Sequence, residues 1–377
     1  MRARVAWAGV TALLAVAACD PGGSEAPDGS QPPLVDAVDD TDQAGGEGAT
    51  DATTGADTGG GPDLGATHDG APGDASVAPE DTQWAVGDPA VLVGAFQIAL
   101  VQPVPATATS DAVPGFTSFL GKVFDGPTPD TTVWDLVSAD GGCRLLTPRA
   151  PWCEGGCGPD ACVEDGVCHP WPKARTVGTV QVSGVKGPDG KATLAIDPIG
   201  TSYQPTGGTL PYPAFGAGDP IIVAAAGSDL CGPFEAQASG VAPLELTSGP
   251  VGIVPGTPLA LTWAAPGLTV GAMIHVKVDL SHHGGSKGLL LCEVEDTGAL
   301  TVPLALSDGL VALGYSGFPT IVVTRRSTGS AVIPPGRVDV VVSSAVELPV
   351  SLPGLTSCTD DADCPPGEAC QFDLKCQ

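Results

Sequence analysis

The sequence predicts an all-β protein: two β-sandwich domains behind a disordered tether, closed by a small disulfide-rich module. Three observations carry this. The 377 residues include 53 glycines and 38 prolines, a usage that favours turns between short elements. Apolar stretches of strand length recur from about residue 91 onward, many of them bounded by Gly, Pro, Asp or Ser. Eleven cysteines lie beyond residue 140, several at short regular spacings that suit covalent staples.

The N-terminal element comes first. Arg2 and Arg4 precede an apolar run from Val5 to Ala18, and Val16-Ala17-Ala18 leads into Cys19. A charged start, a short apolar stretch and small residues before a cut make a signal segment, and the run is too short to span a bilayer. It resembles a bacterial lipoprotein signal peptide with its lipobox, residues 1–18. The resemblance implies acylation of Cys19 with palmitate-type chains, hence a membrane anchor. The expected location is the cell envelope, extracytoplasmic and lipid-anchored, at the outer membrane. Asp20 marks inner-membrane retention in enteric lipoproteins and argues the other way.

Residues 19–83 read as an acidic tether. From Asp20 to Gln83 there is no Lys or Arg, and Leu34, Val35, Val38, Leu64 and Val77 are the only larger aliphatics. Such a segment cannot bury enough apolar area to offset its ordering entropy, so it is expected to be disordered. A coil of this length spans roughly 40–50 Å. Asp40, Asp42 and Asp51 approach a calcium-loop pattern, but Ala44 breaks a ligand position.

Strands are expected from Ala95–Val101 onward: Thr176–Val182, Ala192–Ile196, Ile221–Ala225, Leu244–Leu246, Leu259–Trp263, Met273–Leu280, Leu289–Val294, Leu300–Leu304, Thr320–Thr324 and Val338–Val342. In Met273–Leu280 the alternation assigns Ile274, Val276, Val278 and Leu280 to the core, and His275, Lys277 and Asp279 to water. One helix is expected over Ser307–Leu313, with Ser307 as N-cap. A boundary near Gly240 divides the body into a β domain at 84–240, with a Cys-rich loop at 143–168, and a β-sandwich at 241–350. The run Pro255–Pro266, with Trp263 closing an alternating strand, resembles an early strand of immunoglobulin-like or fibronectin-III modules.

The cysteines follow. Cys358, Cys364, Cys370 and Cys376 are evenly spaced within the module at 351–377. This module resembles Cys-rich units of the Dickkopf N-terminal kind. A unit this small needs staples, and its four cysteines allow three connectivities. Cys143, Cys153, Cys157, Cys162 and Cys168 form a second cluster whose spacing would also suit zinc. Outside the cytoplasm disulfides are the expected outcome, and no metal or other cofactor is expected. Cys231 and Cys292 lie in or beside candidate strands and are candidates to pair. Eleven is odd, so one cysteine is left free and buried or bridges to a partner.

The combination of Trp134-Asp135, Gly142–Leu146, Cys168–Pro170 and Gly178–Val180 resembles uncharacterised lipoproteins of myxobacteria. That resemblance implies localisation and no activity.

Few residues suggest chemistry. Ser281-His282-His283-Gly284 resembles a turn of one metallo-β-lactamase-like hydrolase branch, but the His-rich metal cluster that fold needs upstream is missing. Ser286 sits in a Gly-x-Ser-x-Gly run, yet the residues after it read as a strand, whereas a nucleophile elbow needs a helix. Glu293, Glu295 and Asp296, like Asp360, Asp361 and Asp363, read as solvated charge at element edges. The formal charge is -28, or -30 once Arg2 and Arg4 leave with the signal. No basic stripe is present to bind nucleic acid. The expectation is a membrane-anchored, surface-exposed lipoprotein, not an enzyme, that binds a protein or glycan ligand. The alternatives are a structural or assembly protein of the envelope, and a metal-dependent hydrolase using His282 and His283.

Overall fold

The computed structural model describes residues 91–106, 110–267 and 271–377. The signal segment, Cys19, the tether and its calcium-like run lie outside the described residues. The body at 91–377 belongs to one compact unit.

In chain order the strands begin with β1 (Leu92–Val101), β2 (Phe116–Phe124), β3 (Val133–Asp140), β4 (Cys143–Arg149), β5 (Ala161–Glu164), β6 (Val167–His169) and β7 (Ala174–Arg175). They continue with β8 (Val180–Ser183), β9 (Thr193–Ile196), β10 (Ser202–Tyr203), β11 (Pro220–Ala225), β12 (Phe234–Ser239), β13 (Val251–Gly252) and β14 (Ala260–Thr262). The last are β15 (Met273–Asp279), β16 (Leu289–Glu295), β17 (Ala299–Thr301), β18 (Thr320–Ile333) and β19 (Gly336–Ser351). A helix, α1 (Leu304–Leu313), sits between β17 and β18. The all-β expectation holds.

One large sheet organises the molecule. Its order is β10-β2-β1-β19-β18-β15-β16-β4-β3, with β7 added beside β2 and β13 beside β19. A four-stranded sheet, β12-β11-β8-β9, lies apart from it. The two sheets enclose the first core, where Phe96 and Ile98 of β1 meet Val180 and Val182 of β8, Ile221 and Val223 of β11, and Val338, Val340 and Val342 of β19. The second core gathers Leu261, Trp263, Ile274, Val276, Val278, Leu306, Leu310, Ile321 and Val323, with the β14–β17 pair and α1 as its cover. Period-two alternation explains both: β1 buries every second residue from Phe96 to Leu100, and β15 buries Ile274, Val276 and Val278.

The two segments expected on either side of Gly240 do not form separate sheets. β1 pairs in parallel with β19, and β4 pairs antiparallel with β16. Val241 and Ala272 enter the first core, while Cys143 and Leu145 enter the second. The β18–β19 hairpin is the reason. At 14 and 16 residues, its strands run through both cores, far beyond the short segments Thr320–Thr324 and Val338–Val342. Pro334 and Pro335 make the turn, where no backbone donor is needed. Gly329 is required by contact: a Cβ there would lie 1.6 Å from the Gln237 carbonyl oxygen, where β18 crosses β12.

Three local expectations change. The helix starts a turn earlier, after Pro303, and Ser307 lies inside it, donating to the Leu304 carbonyl at 3.1 Å. Proline suits a helix start, and a serine hydroxyl inside a helix can bond back to the preceding turn. Asp279 is buried rather than solvated, and it accepts the Ser281 N–H at 2.8 Å at the start of the following turn. Leu244–Leu246 forms no strand, only a single bridge from Leu246 to Trp263.

Candidate binding surface

The disulfides define the rigid parts of the surface. Cys143 bonds Cys292, joining the paired strands β4 and β16, so of the two candidates Cys231 and Cys292 only Cys292 is bridged. Cys231 is free and buried, and burial pushes its thiol pKa up. Cys153–Cys162 and Cys157–Cys168 staple the loop after β4, and Cys358–Cys370 with Cys364–Cys376 staple the terminal module. Where these cysteines cluster closely enough to hold a metal, they do so as disulfide partners.

The stapled loop presents aromatic surface. Trp152 is 75% exposed and Trp171 is 53% exposed, in a chain whose other large side chains mostly seek the cores. Trp152 is fixed from behind. Its backbone N–H, not the indole, donates to Asp165 Oδ1 at 2.8 Å, and Asp165 also receives Arg149 Nη1 at 2.8 Å. Arg149 in turn reaches Asp135 of β3 at 3.0 Å. The Trp152 N–H first, and then the Arg149 guanidinium, hold the Asp165 carboxyl below the usual carboxylate range.

Trp171 is held differently. It lies between Pro170 and Pro172, whose rings fix the backbone on both sides. The chain then enters β7, which pairs with the end of β2. Upstream, β6 is tied down by Cys168. Trp171 and its neighbours line an open groove of about 320 Å³ together with Asp125, Pro127, His169, Lys173 and Arg175. The Lys173 N–H donates to Asp125 Oδ1 at 2.7 Å, and Arg175 Nε stands 4.0 Å from Asp125 Oδ2.

The other singled-out residues fall into turns and edges. The rings of His282 and His283 lie 3.9 Å apart between centres, tilted by 51°, in the β15–β16 hairpin turn, where the His282 carbonyl accepts the Phe318 N–H. Among the described residues, neither histidine joins a group of three metal-ligating side chains. Ser286 is exposed and is followed by β16, not by a helix. Asp296 is not solvated. It accepts Trp263 Nε1 at 2.7 Å and pairs with the buried Arg325 at 2.5 Å. Glu293 faces His275 across the β15–β16 pair at 3.9 Å, and Glu295 ends β16. Asp360 and Asp363 cap the short 3-10 turn Asp361–Asp363, and Asp361 Oδ1 accepts the Cys370 N–H at 2.8 Å. These three carboxylates are spent on holding a small module together.

The terminal module is seated on the body. Gly317 N–H donates to the Asp373 carbonyl at 2.7 Å, and Lys375 Nζ lies 5.4 Å from the Tyr315 ring centre. Phe372 at its tip is 99% exposed.

Trp152, Trp171, Arg149, Asp165 and Arg175 make up this candidate surface, and cysteine spacing alone does not reveal them. A signal was present: two of the six tryptophans adjoin prolines within or beside the Cys-rich loop, as Pro151-Trp152-Cys153 and Pro170-Trp171-Pro172. No protein-family model matches the chain, and no curated protein matches it.

Proposed function

We propose that this protein is a lipoprotein anchored through Cys19 that exposes a non-enzymatic binding surface from the cell envelope. The exposed Trp152 and Trp171 on either side of the stapled loop are the observation that supports the binding reading. Large aromatic side chains left in water on a rigid frame cost little entropy to engage, and they are the residue type that dominates binding hot spots. The Cys19 lipobox supports the anchor. Replacing Cys19 by Ala is expected to abolish incorporation of a labelled palmitate analogue; unchanged labelling sinks the anchoring half. The binding half is tested by retention of purified mature protein on isolated cell envelopes, compared with a Trp152→Ala/Trp171→Ala variant.

A second reading, assembly of the envelope, has one specific observation in its favour. Among the described residues β3 ends the large sheet and pairs only with β4, and it exposes Leu136 and Val137 at 60% and 51%. An exposed apolar edge strand is a site for strand addition by another chain. Assembly predicts a stable complex that Leu136→Lys/Val137→Lys breaks, read by analytical ultracentrifugation. A monomer at micromolar concentration, with no envelope partner cross-linked at β3, argues against it.

A further inference from the structure

We propose that the groove beside Trp171 is a saccharide subsite that takes an acidic sugar, a uronate unit of a polysaccharide. This rests on the reading of the protein as a non-enzymatic binder and names the ligand class for that surface.

A pyranose ring has two kinds of surface. Its C–H face is apolar and flat, and its rim carries hydroxyls. A site for it therefore needs a flat apolar platform with polar side chains at the edge. The indole of Trp171 supplies the platform, half-exposed on a backbone that prolines flank on both sides. Asp125, His169, Lys173 and Arg175 supply the edge within the same groove. The volume of about 320 Å³ is at the small end of ligand sites, a size for one or two rings of a chain that crosses the open groove.

Charge selects the kind of sugar. Asp125 Oδ1 is already engaged by the Lys173 N–H, and Oδ2 faces Arg175. The Lys173 ammonium and the Arg175 guanidinium then give the groove a positive balance, in a chain whose formal charge is -28. A carboxylate matches that balance, and the guanidinium fork meets a carboxylate with two parallel hydrogen bonds. A neutral sugar uses the platform but leaves the cations unmatched. A polyproline segment is the other ligand class a Trp–Pro surface suggests. Such ligands dock on grooves lined by several large aromatics, whereas Trp171 is the single Trp, Tyr or Phe lining this one.

The test is calorimetric titration of the mature full-length protein with tetragalacturonate, with cellotetraose and with a decaproline peptide. Tetragalacturonate is expected to bind saturably and to shift the tryptophan fluorescence. Trp171→Ala is expected to weaken it by about tenfold or more, as for loss of an aromatic anchor. Trp171→Phe should restore part of that loss, and unchanged circular dichroism shows that the variants are folded. Arg175→Gln is expected to bring the uronate down to the affinity of cellotetraose. Equal wild-type affinity for the two saccharides overturns the acidic-sugar assignment. No saturable saccharide binding, or binding of decaproline alone, overturns the subsite. If envelope retention still depends on Trp152 and Trp171 while tetragalacturonate does not bind, this inference fails and the binding function stands.

Discussion

Arg325 shows how a single residue fixes this fold. It lies on β18, fully buried, with its Nε 2.5 Å from Asp296 Oδ2. Its Nη atoms donate to the Ala242, Pro243 and Ala264 carbonyls at 3.2, 3.0 and 2.7 Å. Trp263 Nε1 completes the set on Asp296. Each charge is thus matched by a partner and by surrounding dipoles, which is the condition under which a buried ion pair is tolerated. Removing one member leaves the other charged and unmatched. Arg325→Ala is expected to lower stability by about 3–5 kcal/mol, measured by urea unfolding. A loss below about 1 kcal/mol would place the bolt elsewhere. Asp165 works in the open and on a different quantity. Its carboxyl pKa is lowered in the folded protein, so its hold on Trp152 is complete above the ordinary carboxylate value of about 3.9 and is lost as pH falls through the lowered one. Release of the Trp152 backbone N–H is expected to change the Trp152 fluorescence in that acid window, and Asp165→Asn should remove the transition. A transition that persists in Asp165→Asn would assign it to another group.

At the scale of elements, the staples and the hairpin dominate. Cys143 and Cys292 are 149 residues apart, so their bond closes a long loop and constrains the unfolded chain strongly. Replacing both by Ser is expected to cost about 2–5 kcal/mol, read by chemical denaturation under oxidising conditions. The thiol count follows from the same pairing. With Cys19 acylated, a thiol reagent should find nothing accessible in the native protein and one thiol, Cys231, on denaturation. Two or more thiols would contradict the pairing. Much of this scale was legible in the sequence. The alternation of Met273–Leu280 and the apolar run Leu289–Val294 located β15 and β16 within a residue or so. The strands β2, β3, β4 and β12 were not legible, because Gly121, Pro148 and the exposed side chains of β3 break the expected pattern. Asp279 and Asp296 were misread as solvated, because a charged residue reveals its partner only through the fold. The odd cysteine followed from parity, but which one it is depended on which strands pair.

At the scale of the whole molecule, sheet topology overrides the order of the chain. A boundary at Gly240 follows from length and composition, but β1 pairs with β19 and β4 with β16, strands that come after it, and β2 and β3 join the same sheet beside them. Neither half holds a complete core. Residues 241–350 expressed alone are therefore expected to lack the cooperative unfolding of the full chain in calorimetry, and a sharp independent transition would restore the two-domain description. The Cys-rich loop is placed by the same topology, since its stapled residues leave from β4 and return through β7 to the edge of β2. Retention of purified mature protein on isolated cell envelopes tests the central claim most directly. The account predicts saturable retention that falls about tenfold or more in Trp152→Ala/Trp171→Ala, with melting behaviour unchanged. Equal retention of the wild type and this folded variant would contradict it.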